Sequence, residues 1–128
     1  MIRLLIVDDH PVVRAGLVGM LSDEPGFEVV GEAVDGDQAS RIAAATRPDV
    51  VLMDLRMPGV GGVEATARIT AASDSKVLIL TTYESDDQIL AAIEAGASGY
   101  LLKAAPRAEI VAGIRSVAGG QTALSPQV

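Results

Sequence analysis

The stretch LLIVDDHPVVR, Leu4–Arg14, sets an apolar run directly against two adjacent carboxylates, a histidine and a proline. The apolar run reads as a strand buried on both faces. Pro11 suits the first turn of a helix. The stretch is therefore the junction of a β/α unit, with Asp8 and Asp9 at the carboxyl end of the strand. Two such charges at ~4 Å and an effective dielectric of ~20 repel by about 4 kcal/mol. Water or a cation has to offset that.

Outward from this junction the same alternation continues. Apolar runs predict strands at Ile2–Val7, Phe27–Glu32, Val50–Met53, Val77–Thr81 and Gly99–Leu102. Helical patterns fall near Pro11–Ser22, Gly36–Ala45, Gly62–Ala72, Asp86–Ala95 and Pro106–Ala118. Gly26, Gly96 and Gly119 suit helix ends, and Ser85 suits a helix cap followed by Asp86 and Asp87. The run Phe27–Glu32 alternates more than the others, as an edge strand should. Five β/α units in series predict a doubly wound α/β domain, with a five-stranded parallel sheet in the order 2-1-3-4-5, flavodoxin-like, and helices on both faces.

Composition bounds the function. A chain of 128 residues holds one domain with a real core. Its apolar share of 49% with only 2% aromatics predicts an aliphatic interior. No apolar stretch approaches the ~20 residues of a membrane span, and Ile2–Val7 is too short for a signal peptide, so the expected location is cytoplasmic, with no membrane partner. Cysteine is absent, which excludes disulfides, thiolate zinc sites and cysteine nucleophiles. A formal charge of −7 argues against direct contact with nucleic acid and favours a cation or a partly basic partner.

In such a sheet ligands bind at the carboxyl ends of the strands, where strand order reverses. Asp8 and Asp9 end the first strand, Asp54 the third and Thr81 the fourth, while Lys103 follows the fifth. If strands 1 and 3 are neighbours, three carboxylates converge, and Mg2+ or Mn2+ is the natural occupant. Asp54 beside such an ion could attack a phosphoryl donor and become an aspartyl phosphate. Lys103 would offer a positive charge to one phosphoryl oxygen and Thr81 a hydroxyl to another.

These residues, with DLRMPGVGG around Asp54, LTT at Thr81 and GYLLK from Gly99 to Lys103, resemble the receiver domain of bacterial two-component response regulators over essentially the whole chain. The resemblance implies that Asp54 accepts phosphate from a sensor histidine kinase. It implies a metal site of Asp8, Asp9, Asp54 and the backbone carbonyl of Arg56, with Asp8 acting through water. It also implies a switch pair, Thr81 and Tyr100, whose hydroxyl and ring move on phosphorylation. VDDHPVVRAGL and GASGYLLK further resemble the NarL/FixJ type. Residues 1–120 would then be the receiver, and 121–128 the start of a linker to a helix-turn-helix domain outside this chain. DNA would be bound only by that domain, under control of the switch. The protein would catalyse its own phosphorylation and dephosphorylation without turning over an external substrate. Receivers commonly follow the lysine with a cis proline, whereas here Ala104 follows Lys103.

Other readings stand beside this one. A flavin-binding protein of the same fold needs a phosphate-cradling Ser/Thr/Gly loop after the first strand, where this chain is acidic. An aspartyl-nucleophile phosphatase of the haloacid-dehalogenase class wants a second aspartate two positions on, where Arg56 stands. Thr81 and Tyr100 read equally as ordinary strand residues, and Lys103 as a solvated lysine. His10 reads as a loop histidine beside an acidic cluster, because magnesium prefers oxygen. Arg56, Thr82 and Tyr83 flank the expected phosphoryl position and would tune water access. The first helix carries more apolar residues than one stripe uses, Val12 and Val18 especially. Most of these residues bury against the sheet and helix 5, and a homodimer could form through helices 1 and 5, or through the face of helix 4, strand 5 and helix 5.

Overall fold

A computed structural model of the chain describes residues 1–82 and 86–124. Of Asp86 only the backbone is described. The elements in order are β1 Ile2–Val7, α1 Pro11–Ser22, β2 Phe27–Ala33, α2 Gly36–Thr46, β3 Val50–Met53, α3 Gly62–Ala72, β4 Lys76–Thr81, α4 Asp86–Glu94, β5 Gly99–Leu102, α5 Arg107–Ala118 and β6 Ala123–Leu124. The sheet is parallel throughout, in the order β2-β1-β3-β4-β5-β6.

Strand alternation sorts the core into two layers. Leu5, Val7, Val51, Met53, Val77, Ile79 and Tyr100 face Ala39 and Ala43 of α2, Ala65 and Ile69 of α3, and Ala92 of α4. Leu4, Ile6, Val50, Leu52, Leu78, Leu80 and Leu101 face Leu21 of α1 and Ile110, Ile114 and Val117 of α5. The central strands are sealed on both faces, which is why Leu4–Val7 of β1 and all of β3 are apolar. The junction of β1 and β3 is the point where strand order reverses.

Several expectations change in detail. A sixth strand joins the predicted five: Ala123 and Leu124, expected in a linker, pair with Gly99 and Tyr100. Gly99 permits this, because a Cβ there would fall on the Ala123 carbonyl oxygen. Pro106 precedes α5 with an extended ψ of 151°, and its carbonyl accepts the Glu109 and Ile110 amides. At the other end of α5, Gly120 rather than Gly119 takes the left-handed position, at φ +88°. The Gln121 amide then reaches back to the Ser116 carbonyl and the Gly120 amide to that of Val117, a Schellman closure. The Lys103–Ala104 peptide is trans. Val12 is 85% exposed, whereas Val18 packs partly buried against the α1/α5 core, so only part of the expected surplus on α1 is free. The expected Ser85 cap lies outside the described residues. No helix among those described is long and apolar enough to cross a membrane.

Candidate functional site

Backbone pairing assembles the site before any side chain acts. The Asp54 amide donates to the Val7 carbonyl at 3.0 Å, and the Asp8 amide to that of Ala33 at 3.1 Å. The ends of β2, β1 and β3 are thereby tied in line, and Asp8 and Asp54 leave adjacent strands at one rim. On the far side the Lys103 amide donates to the Thr81 carbonyl at 2.8 Å, which extends the β4/β5 ladder by one step. Asp54 is also hemmed in from behind, since a Cβ on Gly62 would meet the Asp54 carbonyl.

Within this frame the predicted residues converge. Lys103 Nζ lies 2.6 Å from Asp8 Oδ2 and donates to Asp54 Oδ2 at 3.3 Å. Ligating atoms of Asp8, Asp9, His10 and Asp54 all fall within 4.8 Å of one another. The Asp8 and Asp54 side chains are almost wholly buried, that of Asp9 a quarter exposed. Asp8 Oδ1 accepts the His10 amide at 2.9 Å, and His10 Nδ1 stands 3.1 Å from both Asp8 Oδ1 and Asp9 Oδ1. Thr81 is buried at the end of β4, and Tyr100 is buried in the layer facing α4. Arg56 is exposed on the loop after β3, and Thr82 is exposed just past β4. Tyr83 lies outside the described residues.

The electrostatics separate the two buried aspartates. Burial pushes the Asp8 carboxyl up, but the Lys103 ammonium and the His10 amide outweigh it and hold Asp8 below the ordinary carboxylate value. Burial also pushes the Asp54 carboxyl up. Lys103 pulls it down, repulsion from Asp8 and Asp9 raises it again, and the result is a raised value. Burial lowers the Lys103 ammonium, yet contact with Asp8 and Asp54 leaves it above its usual value. Asp8 is thus the firm counter-ion of Lys103, and Asp54 the more basic carboxylate.

The cluster also fits a hard divalent cation. Asp8 Oδ2 and Asp9 Oδ1 are buried with no hydrogen-bond partner among the described residues. Lys103 Nζ ion-pairs the first at 2.6 Å, and His10 Nδ1 stands 3.1 Å from the second. Oxygen lone pairs left open around a concentration of negative charge are what Mg2+ or Mn2+ takes.

Sequence reasoning missed Arg14 and Glu32, which stand behind the acidic pair. Arg14 Nη1 donates to the Asp8 carbonyl at 2.8 Å and Nε to Glu32 Oε1 at 3.0 Å. Neither spacing follows a strand or helix period, so no pattern marked them.

Known proteins resemble the chain over its whole length. A family profile described as response regulator receiver domain matches residues 4–115. The transcriptional regulatory protein LiaR of Bacillus subtilis (strain 168) is 46% identical over 129 residues, covering 100% of this chain and 61% of that protein. The response regulator UvrY of Escherichia coli (strain K12) is 43% identical over 129 residues, covering 100% of this chain and 59% of that protein. The crystal structure of a LuxR-family two-component response regulator from Aurantimonas sp. SI85-9A1 matches with a TM-score of 0.92 at 43% identity. It covers 98% of this chain and 90% of that one. The chain spans about three fifths of the length of the curated relatives it matches.

Proposed function

The chain belongs to the response regulator receiver domain family, and from that premise we propose that Asp54 is its phosphoacceptor. The observation that carries this is the unequal pairing of Lys103, 2.6 Å from Asp8 and 3.3 Å from Asp54. Asp8 is neutralised and locked. Asp54 is held at the same rim and is less tightly paired, which leaves its carboxylate oxygens freer to act as the nucleophile.

In this reading a carboxylate oxygen of Asp54 attacks the phosphorus of a phosphohistidine on a sensor kinase. The new P–O bond forms as the P–N bond breaks, and the imidazole leaves with a proton. Asp8, Asp9, Asp54 and the Arg56 carbonyl would hold Mg2+ or Mn2+, which supplies charge neutralisation for the phosphoryl oxygens. Lys103 shifts from the carboxylates to the transferred group, and the Thr81 hydroxyl donates to it. Tyr100, already buried against α4, is the partner that reports the motion of Thr81. Hydrolysis of the acyl phosphate resets the domain, with Arg56 and Thr82 at the rim governing access of water. No external metabolite is turned over.

The output is a population shift at the face of α4, β5 and α5, where Leu90 is 57% and Ile93 40% exposed. That apolar strip supports this face as a homodimer surface, beside the alternative through α1, where Val12 is 85% and Val13 38% exposed. In a longer protein of the relatives' length, the receiver would work in the cytoplasm and control a C-terminal helix-turn-helix domain that binds DNA.

The test is exposure of the chain to acetyl phosphate with Mg2+, read by intact mass. One labile phosphoryl group is expected, absent without Mg2+ and absent in Asp54→Ala. Undiminished labelling of Asp54→Ala would assign the acceptor elsewhere.

A further inference from the structure

Arg14 is the charged residue of VDDHPVVRAGL to which the proposed chemistry gives no task. Its side chain is only 18% exposed, and it grips two elements at once, the Asp8 carbonyl through Nη1 and Glu32 of β2 through Nε. Asp8 is pinned elsewhere too. Its amide donates to Ala33, and its Oδ1 accepts the His10 amide. The carbonyl held by Arg14 belongs to the Asp8–Asp9 peptide plane, whose tilt these other contacts do not fix. Asp9, whose buried Oδ1 has no hydrogen bond among the described residues, leaves from the other end of the same peptide.

We infer that Arg14, braced by Glu32, is a positioning residue for the cation site: it sets the Asp8–Asp9 peptide plane and so presents the Asp9 carboxylate to a divalent ion. The inference rests on reading the acidic cluster as a cation site. It differs in sign from the simplest alternative. A guanidinium acting only as a nearby positive charge repels a cation, so its removal would tighten binding. A positioning guanidinium makes removal weaken binding, as loss of outer-shell partners does, typically by 10–100-fold.

The experiment is titration of Mn2+ into the metal-free chain, following free Mn2+ by electron paramagnetic resonance, beside thermal unfolding in chelator. Arg14→Met is expected to bind Mn2+ about 10-fold more weakly. Arg14→Lys is expected to recover only part of that loss, because an ammonium cannot bridge the carbonyl and the carboxylate as the planar fork does. Equal or tighter binding by Arg14→Met overturns the inference, as does full recovery in Arg14→Lys. Should Arg14→Met fail to fold, Glu32→Gln removes only the brace. An approximately threefold loss is then expected, and unchanged affinity overturns the inference. Failure of the unaltered chain to bind Mn2+ overturns the cation-site reading itself, and the inference with it.

Discussion

Lys103 and Asp8 form the tight half of a lopsided triangle: Nζ to Oδ2 is 2.6 Å, against 3.3 Å to Asp54. Without a metal, the lysine is the cation that makes this acidic corner tolerable. Lys103→Met should therefore have two effects of opposite sign. Removing one partner of a buried pair should destabilise the metal-free chain by about 3 kcal/mol. Removing a positive charge from the site should raise affinity for Mg2+ severalfold. Urea unfolding in chelator and calorimetric Mg2+ titration read the two effects separately.

Asp54 predicts a pH dependence. Burial, with repulsion from Asp8 and Asp9, raises its folded pKa over the opposition of Lys103. A carboxyl whose folded pKa lies above its unfolded value costs stability where it is ionised in both states, and the cost fades as pH falls through the folded and then the unfolded pKa. Asp54→Asn should therefore raise the unfolding temperature of the metal-free chain at pH 7. The gain should shrink as pH approaches the ordinary carboxylate value of 3.8. Asp8 has the reverse sign: its depressed pKa contributes stability above its unfolded value that is lost as pH falls through the folded one. The difference between the two proteins, scanned by calorimetry at each pH, isolates Asp54.

Two glycines should respond oppositely to alanine. At Gly62 a Cβ would collide with the backbone of Asp54 and Leu55, which cannot move without displacing Asp54. Gly62→Ala should cost about 1–3 kcal/mol and slow labelling by acetyl phosphate. Gly16 lies exposed within α1 with nothing within 4 Å of the added atom. Gly16→Ala should stabilise by about 0.5–1 kcal/mol without changing labelling. Denaturant unfolding checks both.

The sixth strand hangs on Gly99. Gly99→Ala should push Ala123 away from β5 while leaving the β4/β5 pairing intact, at a cost of about 1 kcal/mol. Amide exchange should then lose protection at Ala123 and keep it at Leu101. Protection retained at Ala123 would show that the sheet edge accommodates the methyl by another route.

Local chemistry wrote most of the fold into the chain. Leu4–Val7 and Val50–Met53 are apolar at every position because both faces of those strands are covered, and Pro11 marks the helix that follows the acids. The predicted bounds of α1 and α3 coincide with those observed, since proline at the start of one and glycine at that of the other punctuate the chain. The gathering of Asp8, Asp9, Asp54 and Lys103 was legible as well, because every one of them sits at or just past a strand's carboxyl end. The sixth strand was not legible. Ala123–Leu124 is two residues with no alternation, and the feature that admits it is a missing Cβ on another strand.

By itself, then, the sequence determined which residues enter strands and helices, and that carboxylates and a lysine meet at one rim, because hydrophobic period and turn chemistry act over a few residues. Only the tertiary structure decided that Lys103 favours Asp8 over Asp54, that Arg14 reaches back to the Asp8 carbonyl, and that Val18 turns inward while Val12 does not. Those outcomes hang on ångström differences between groups up to 95 positions apart, where strand register and helix tilt, rather than spacing along the chain, set the distance.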